Sequence, residues 1–319
     1  MSEAVGSAPS DTAASHVLLV EPPHHGGGFR YNRETAATNV FQELVPPEEE
    51  SLLAGLAVEQ HHRLRDLLVG EGVTVTITRS LEATPDGPFC NNWFSTHPAG
   101  PAGAATLVIY PLLAENRRPE RRRDLIELLR PAYPRYLDLS PRERESGGHY
   151  LESTGSLVLD HRSRRAYAAL SPRTDPGLAS EWADALGYDL VRFTATDQTG
   201  VPYYHTNLLM FIGHGLAGVC LEAIESAPER RTVRERLEGD ANEVLALTRH
   251  QVAEFCGNCL ALASRDGEAL WLMSSRARRG FSAGDLATIE RYGRILHTEL
   301  SAFERLGGGS ARCLVGELF

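Results

Sequence analysis

Apolar residues fall along this chain in short, strand-length blocks separated by polar turns and by stretches of helical spacing. Residues 17–20 form one such block, and residues 73–78 alternate apolar and polar positions as a half-buried strand does. Between them, residues 48–69 carry Leu52, Leu56, Leu64 and Leu68 near the spacing of an amphipathic helix. Further blocks at 107–110, 157–160, 208–211 and 260–263 predict strands. Three of these lead through a turn into a returning strand, at 165–170, 217–222 and 269–273. Helical spacing follows at 119–129, 178–186, 233–247 and 282–292. The recurring unit is therefore roughly β-β-α-β.

Each unit is preceded by a polar knot bearing Gly or Asn. The knots lie at 85–93, 147–155, 202–207, 256–259 and 307–313. From Glu152 to His205 is 53 positions, from His205 to Asn258 is 53, and from Asn258 to Cys313 is 55. Such a period marks a repeat architecture, whose units bury their apolar faces only by packing around a common core. If equivalent knots lie at equivalent heights, Asp86, Glu152, His205 and Cys313 converge near one axis.

Composition narrows the chemistry. The chain has 319 residues, enough for a full hydrophobic core. Its apolar blocks are far shorter than the ~20 residues of a membrane span. Residues 1–15, rich in Ser, Ala and acidic side chains, read as a disordered tail ahead of a single domain at 16–319, and the protein as cytoplasmic. All basic charge is arginine, which excludes a Schiff-base lysine and a P-loop lysine. A formal net charge of -10 argues against a nucleic-acid surface and suits a cationic or zwitterionic small substrate. Five cysteines are too scattered for a disulfide framework. Cys256 and Cys259 have the spacing of a redox or zinc pair, but no second pair follows, so no metal or cofactor is expected.

The candidate chemistry lies in the knots. Cys313 follows Gly307, Gly308 and Gly309, which let backbone approach a ligand closely, and the neighbouring Arg312 brings positive charge that favours a thiolate if it points inward. His205 falls at a strand mouth, where a group titrating near neutrality suits proton transfer. Glu152 and Asp86 are acids in otherwise uncharged knots, and carboxylates are natural partners for the flat N–H array of a guanidinium or ureido group. Taken singly, Cys313 reads equally as a buried structural cysteine, His205 as a hydrogen-bonded structural histidine, and Asp86 before Gly87 as a turn residue.

At these positions the sequence resembles the pentein superfamily of guanidino-modifying enzymes, most nearly the branch of citrulline-utilisation hydrolases and amidinotransferase-like proteins. The resemblance rests on residues 31–39, 85–97, Leu151-Glu-Ser-Thr-Gly155, 204–207, Gly257 with Asn258, and 306–313. It implies a five-bladed α/β propeller with pseudo-fivefold symmetry and a site on the axis. It also implies Cys313 as nucleophile, His205 as general acid and base, and Glu152 as the carboxylate orienting His205. Asp86, Phe89, Asn91, Asn92, Asn207 and Arg312 would contact substrate, and Cys90 would place a second thiol near the mouth. Arginine deiminases carry an aspartate where this chain has Asn207, which lowers the negative charge offered to a cation. The expectation is thus a cofactor-free cysteine hydrolase that takes a ureido or guanidino substrate, citrulline to ornithine ahead of arginine, with no nucleic-acid or membrane partner and a homodimer possible. The alternatives are an amidinotransferase, an arginine deiminase or dimethylarginine hydrolase of the same fold, and a non-catalytic binding propeller.

Overall fold

The computed structural model describes residues 12–23, 29–100 and 103–319. Among these are five three-stranded sheets. Four of them begin with an antiparallel hairpin, and in all five one strand of the antiparallel pair also pairs in parallel with a strand that returns after a helix. In chain order, β1 (His16–Glu21) is followed by the helix Pro47–Gly70 and by β2 (Thr74–Arg79), its parallel neighbour. The next sheet comprises β3 (Phe94–His97), β4 (Thr106–Ile109) and β5 (Arg135–Asp138), with the helix Arg123–Leu129 between the last two. β6 (Val158–Asp160), β7 (Arg165–Ala169) and β8 (Asp189–Phe193) repeat the plan around the helix Pro176–Leu186. So do β9 (Met210–Gly213), β10 (Leu216–Val219) and β11 (Glu243–Ala246) around Ala227–Gly239. The fourth copy is β12 (Leu260–Ala263), β13 (Ala269–Ser274) and β14 (Arg294–Thr298) around Ala283–Glu290.

The last strand, β15 (Val315–Glu317), pairs antiparallel with β1, Leu18 opposite Gly316. One sheet is therefore built from both ends of the chain, so the repeat is divided between them. This ties the stretch carrying Cys313 to the start of the described chain. Gly316 serves that junction directly, because an added Cβ there would stand 2.4 Å from the Phe94 ring.

The crossover helices are punctuated by their sequence. Asp175 caps Pro176–Leu186 by accepting from the Leu178 N–H, Pro176 occupies the first turn, and Gly187 ends the helix in the left-handed region with φ of 70°. Trp182 and Leu186 of that helix are buried against Tyr110 and Leu157. The Trp182 indole N–H donates to the Tyr110 hydroxyl at 2.6 Å, so two large side chains enter the core without a stranded polar atom.

Three sequence expectations shift. The helix read over 233–247 ends at Gly239, and 243–246 is a strand, because the Glu243 N–H and the segment after it pair with β10. The strand placed at 208–211 starts at Met210, behind the tight turn Thr206–Leu208. Residues 94–97, absent from the expected strands, form β3, and all four are buried. Of the expected tail, residues 1–11 lie outside those described, as do His24 and His25. Ala14, within the span read as tail, is buried, and its carbonyl accepts from the Ala263 N–H. No helix of the described residues is long and apolar enough to cross a membrane.

Candidate active site

Each knot forms the turn that enters the first strand of a sheet, and hydrogen bonds link one knot to the next. Asn91 donates to the Thr154 hydroxyl at 3.3 Å, and Thr206 to the Ser156 carbonyl at 2.5 Å. Asn258 donates to the Asn207 carbonyl at 2.9 Å, and the Arg312 N–H to the Asn258 side chain at 3.0 Å. The Cys90 thiol reaches the Leu314 carbonyl at 3.6 Å. This lacing brings residues remote in sequence to one small cleft, lined among others by Asp86, Phe89, Asn92, Arg173, His205 and Cys313.

His205 is buried, and its Nε2 lies 2.8 Å from Glu152 Oε2. Glu152 is held in turn by the Leu113 N–H at 3.0 Å and by Arg173 at 3.4 Å. Burial opposes ionisation of Glu152, yet Arg173 and the His205 hydrogen bond outweigh it and hold the carboxyl well below its usual range. Burial takes His205 the other way, down to about 4, despite Glu152. The pair at neutral pH is therefore carboxylate and neutral imidazole. With Nε2–H committed to Glu152, Nδ1 is left as the proton acceptor. The approach depends on Gly155, where a Cβ would stand 2.7 Å from the His205 ring and 2.6 Å from Asn92 Nδ2.

Cys313 is buried, and burial pushes its thiol up, countered by the Ser310 backbone, Asn258, Arg312 and Asn207. Among the described residues no hydrogen bond joins it to His205. Asp86 Oδ2 accepts from Asn32 at 2.8 Å and from Thr35 at 2.9 Å, while its buried Oδ1 has no partner in the protein. Asn92 Nδ2 is likewise unpaired. Two unsatisfied polar atoms on residues of one cleft are what a site shaped for a polar ligand leaves behind.

The remaining expected contacts divide. Phe89 lines the cleft under the glycine run, where a Cβ at Gly307 would fall 2.3 Å from its ring. The space these glycines leave is thus filled by Phe89. Asn91 faces Thr154 and not the cleft. Arg312 turns away to Glu317, at 2.6 Å, and to the Val315 carbonyl, because a buried guanidinium takes the nearest carboxylate. Asn207 directs its amide at Cys313 Sγ, 3.8 Å away. Cys90 is no second thiol at the mouth: it is sealed under β1 and pushed up to about 12 by burial.

The sequence reading missed two buried arginines. Arg117 forms a two-pronged pair with Glu120, at 2.9 and 2.8 Å, and donates to Asn92 Oδ1 at 2.9 Å. Arg173 reaches the Thr35 carbonyl and the Thr38 hydroxyl and lies over the Tyr204 ring. Both stand outside the knots, so periodicity offered no signal for them.

A sequence model described as N,N dimethylarginine dimethylhydrolase, eukaryotic, matches residues 26–319. None of the curated protein sequences compared with the chain matches it. Among solved structures, ArgZ, an arginine dihydrolase from the ornithine–ammonia cycle in cyanobacteria, superposes with a TM-score of 0.70 at 17% identity, over 94% of this chain and 40% of that one. A variant of its N-terminal domain, covalently bound to a reaction intermediate, superposes at 0.69 and 17% identity over 95% and 97%. A dimethylarginine dimethylaminohydrolase in adduct with S-methyl-L-thiocitrulline superposes at 0.63 and 14% identity over 96% and 100%. The chain thus spans 40% of the full-length arginine dihydrolase and is similar in extent to its N-terminal domain. At these identities the likeness establishes the fold.

Proposed function

Because the chain belongs to the eukaryotic N,N-dimethylarginine dimethylhydrolase family, within the guanidino-modifying pentein superfamily, we propose that it hydrolyses the terminal C–N bond of a methylated arginine or a close guanidino analogue. The observation that carries the reading is the meeting of Cys313, His205 and the unpartnered Asp86 Oδ1 in one cleft. The same proposal takes residues 16–319 as one domain and its sheets as the blades of a five-bladed propeller. The succession of bonds from knot to knot and the sheet shared by the chain ends support this.

A guanidinium bound to Asp86 brings positive charge beside Cys313, which favours ionisation of a thiol that burial otherwise keeps protonated. The sulfur bonds to the guanidino carbon, and the excess electron density is carried by the substrate nitrogens. His205, having taken the thiol proton at Nδ1, delivers it to the departing amine, and the C–N bond breaks to leave a thiouronium on Cys313. Neutral again, His205 takes a proton from water at Nδ1. The hydroxide adds to the same carbon, and C–S cleavage returns the thiolate and releases the ureido product. The sum is dimethylarginine plus water to citrulline plus dimethylamine, using only the protein's own side chains.

The sequence case for citrulline as substrate rested on Asn207, whose side-chain amide lowers the negative charge offered to a cation. With that amide aimed at Cys313, the free carboxylate oxygen of the cleft is Asp86 Oδ1, its Oδ2 being taken by Asn32, Thr35 and, at 3.8 Å, Arg117, and an N–H-rich cationic donor suits it better. The test is a parallel assay of dimethylarginine, arginine, citrulline and agmatine, following dimethylamine, ammonia, citrulline and ornithine, with a search for a mass adduct on Cys313. Dimethylamine release that is lost in Cys313→Ser is the expected result. Turnover of citrulline alone would restore the ureido reading, and full activity in Cys313→Ser would end both.

A further inference from the structure

We propose that Asn258, with Asn207 as a second donor, holds the ionised sulfur of Cys313 through side-chain N–H groups and is thereby a catalytic residue. The inference rests on the reading of Cys313 as nucleophile. It assigns a task to a knot that no step has yet used.

The orientation of the Asn258 amide is fixed by its other partners. Its Oδ1 accepts the Arg312 backbone N–H at 3.0 Å, and its Nδ2 donates to the Asn207 carbonyl at 2.9 Å. A backbone N–H can only donate and a carbonyl can only accept, so the amide cannot be flipped. One hydrogen of Nδ2 is thereby committed to Asn207, and Cys313 Sγ lies 3.4 Å from the same nitrogen to receive the other. In the protonated state the thiol lies 3.6 Å from Oδ1, so one rigid amide serves both forms of the sulfur. Asn207 approaches at 3.8 Å from the preceding knot, its Oδ1 unpaired. Both asparagines are buried, so water does not compete for these donors.

The lacing between knots explains why this pair stands where it does. The β12 knot provides Asn258 and the β9 knot provides Asn207, the two knots that precede the β15 knot carrying the nucleophile. Burial raises the Cys313 thiol, and donors on the sulfur are among the groups that oppose it. Removing them should make the thiolate harder to form.

The test is the pH dependence of Cys313 alkylation by iodoacetamide, read by peptide mass spectrometry, with Cys313→Ser as background. Asn258→Ala should move the midpoint upward by about one to two pH units, the change expected for one charge-assisted hydrogen bond, so labelling below the midpoint slows tenfold or more. Asn207→Ala, at the longer distance, should move it upward by less. Melting curves accompany both, since a purely structural role would lower the melting temperature and leave the midpoint in place. Asn258→Ala also strands the Arg312 N–H. If that variant does not fold, Asn207→Ala decides, because its side chain has no other partner to lose. An unmoved midpoint in a folded variant overturns the inference. Labelling that shifts as expected in a protein that turns over no guanidino substrate would sink the functional reading instead.

Discussion

Gly155→Ala isolates the contact that seats His205. Gly155 lies outside the left-handed region, so alanine is free to adopt its backbone angles, and in the short helical turn Ser153–Ser156 alanine is the better helix former by about 1 kcal/mol. The added methyl, however, would stand 2.7 Å from the His205 ring and 2.6 Å from Asn92 Nδ2, where ordinary contact begins at 3.4 Å. Something must yield by most of an ångström. The Glu152 knot is laced to its neighbours through Ser156 and Thr154, so the imidazole is the part that moves. A displacement of that size at a proton-transfer group costs on the order of 100-fold in rate, about 2.7 kcal/mol in the barrier. Overpacking costs roughly 1–3 kcal/mol of stability, partly offset by the helix gain. The assay is steady-state dimethylamine release alongside thermal melting. The expected pattern is a kcat down about 100-fold with a modest drop in melting temperature. A variant within threefold of wild type, equally stable, would refute the claim that Gly155 sets the position of His205.

Asp86→Asn should raise KM about tenfold or more with a smaller change in kcat, since a charge-assisted bond is worth about 1.5–3 kcal/mol; unchanged constants would remove Asp86 from the pocket. Arg117→Met leaves Glu120 buried without its partner and should cost about 3–5 kcal/mol in urea unfolding at pH 8. Glu120 is already raised to about 7 by burial, so the variant should recover part of this loss as the pH falls and the carboxyl protonates; equal deficits at pH 8 and 6 would contradict it. Acid should destabilise the wild type between about pH 6.5 and 4. His61, His161 and His205 are each lowered to about 4 by burial, so below 6.5 the unfolded chain binds protons that the fold refuses, roughly 3 kcal/mol at most for each. Glu120, Glu304 and Glu317, raised by burial, oppose this, His97, lowered by burial, adds to it, and stability that stays level from pH 7 to 4.5 would count against the assignment.

What the sequence determined is whatever repeats locally. Strand-length apolar blocks, turn residues and a spacing of 53 to 55 positions marked the units and their knots, because hydrophobic period and turn chemistry are written into neighbouring residues. Cys313, His205, Glu152 and Asp86 stood out as candidates for that reason, as chemically capable side chains set in the knots. Tertiary structure decided where side chains point and what they pair with. Arg312 sits beside Cys313 in the chain, yet Glu317 at 2.6 Å draws it away, and Asn207 serves the sulfur instead of facing the cleft. Arg117 and Arg173 lie outside every knot and enter the site only because the fold buries them beside Glu120 and Glu152. A buried charge must find its counter-charge wherever packing brings one near, and that partner is set by distance in space, which no local pattern records.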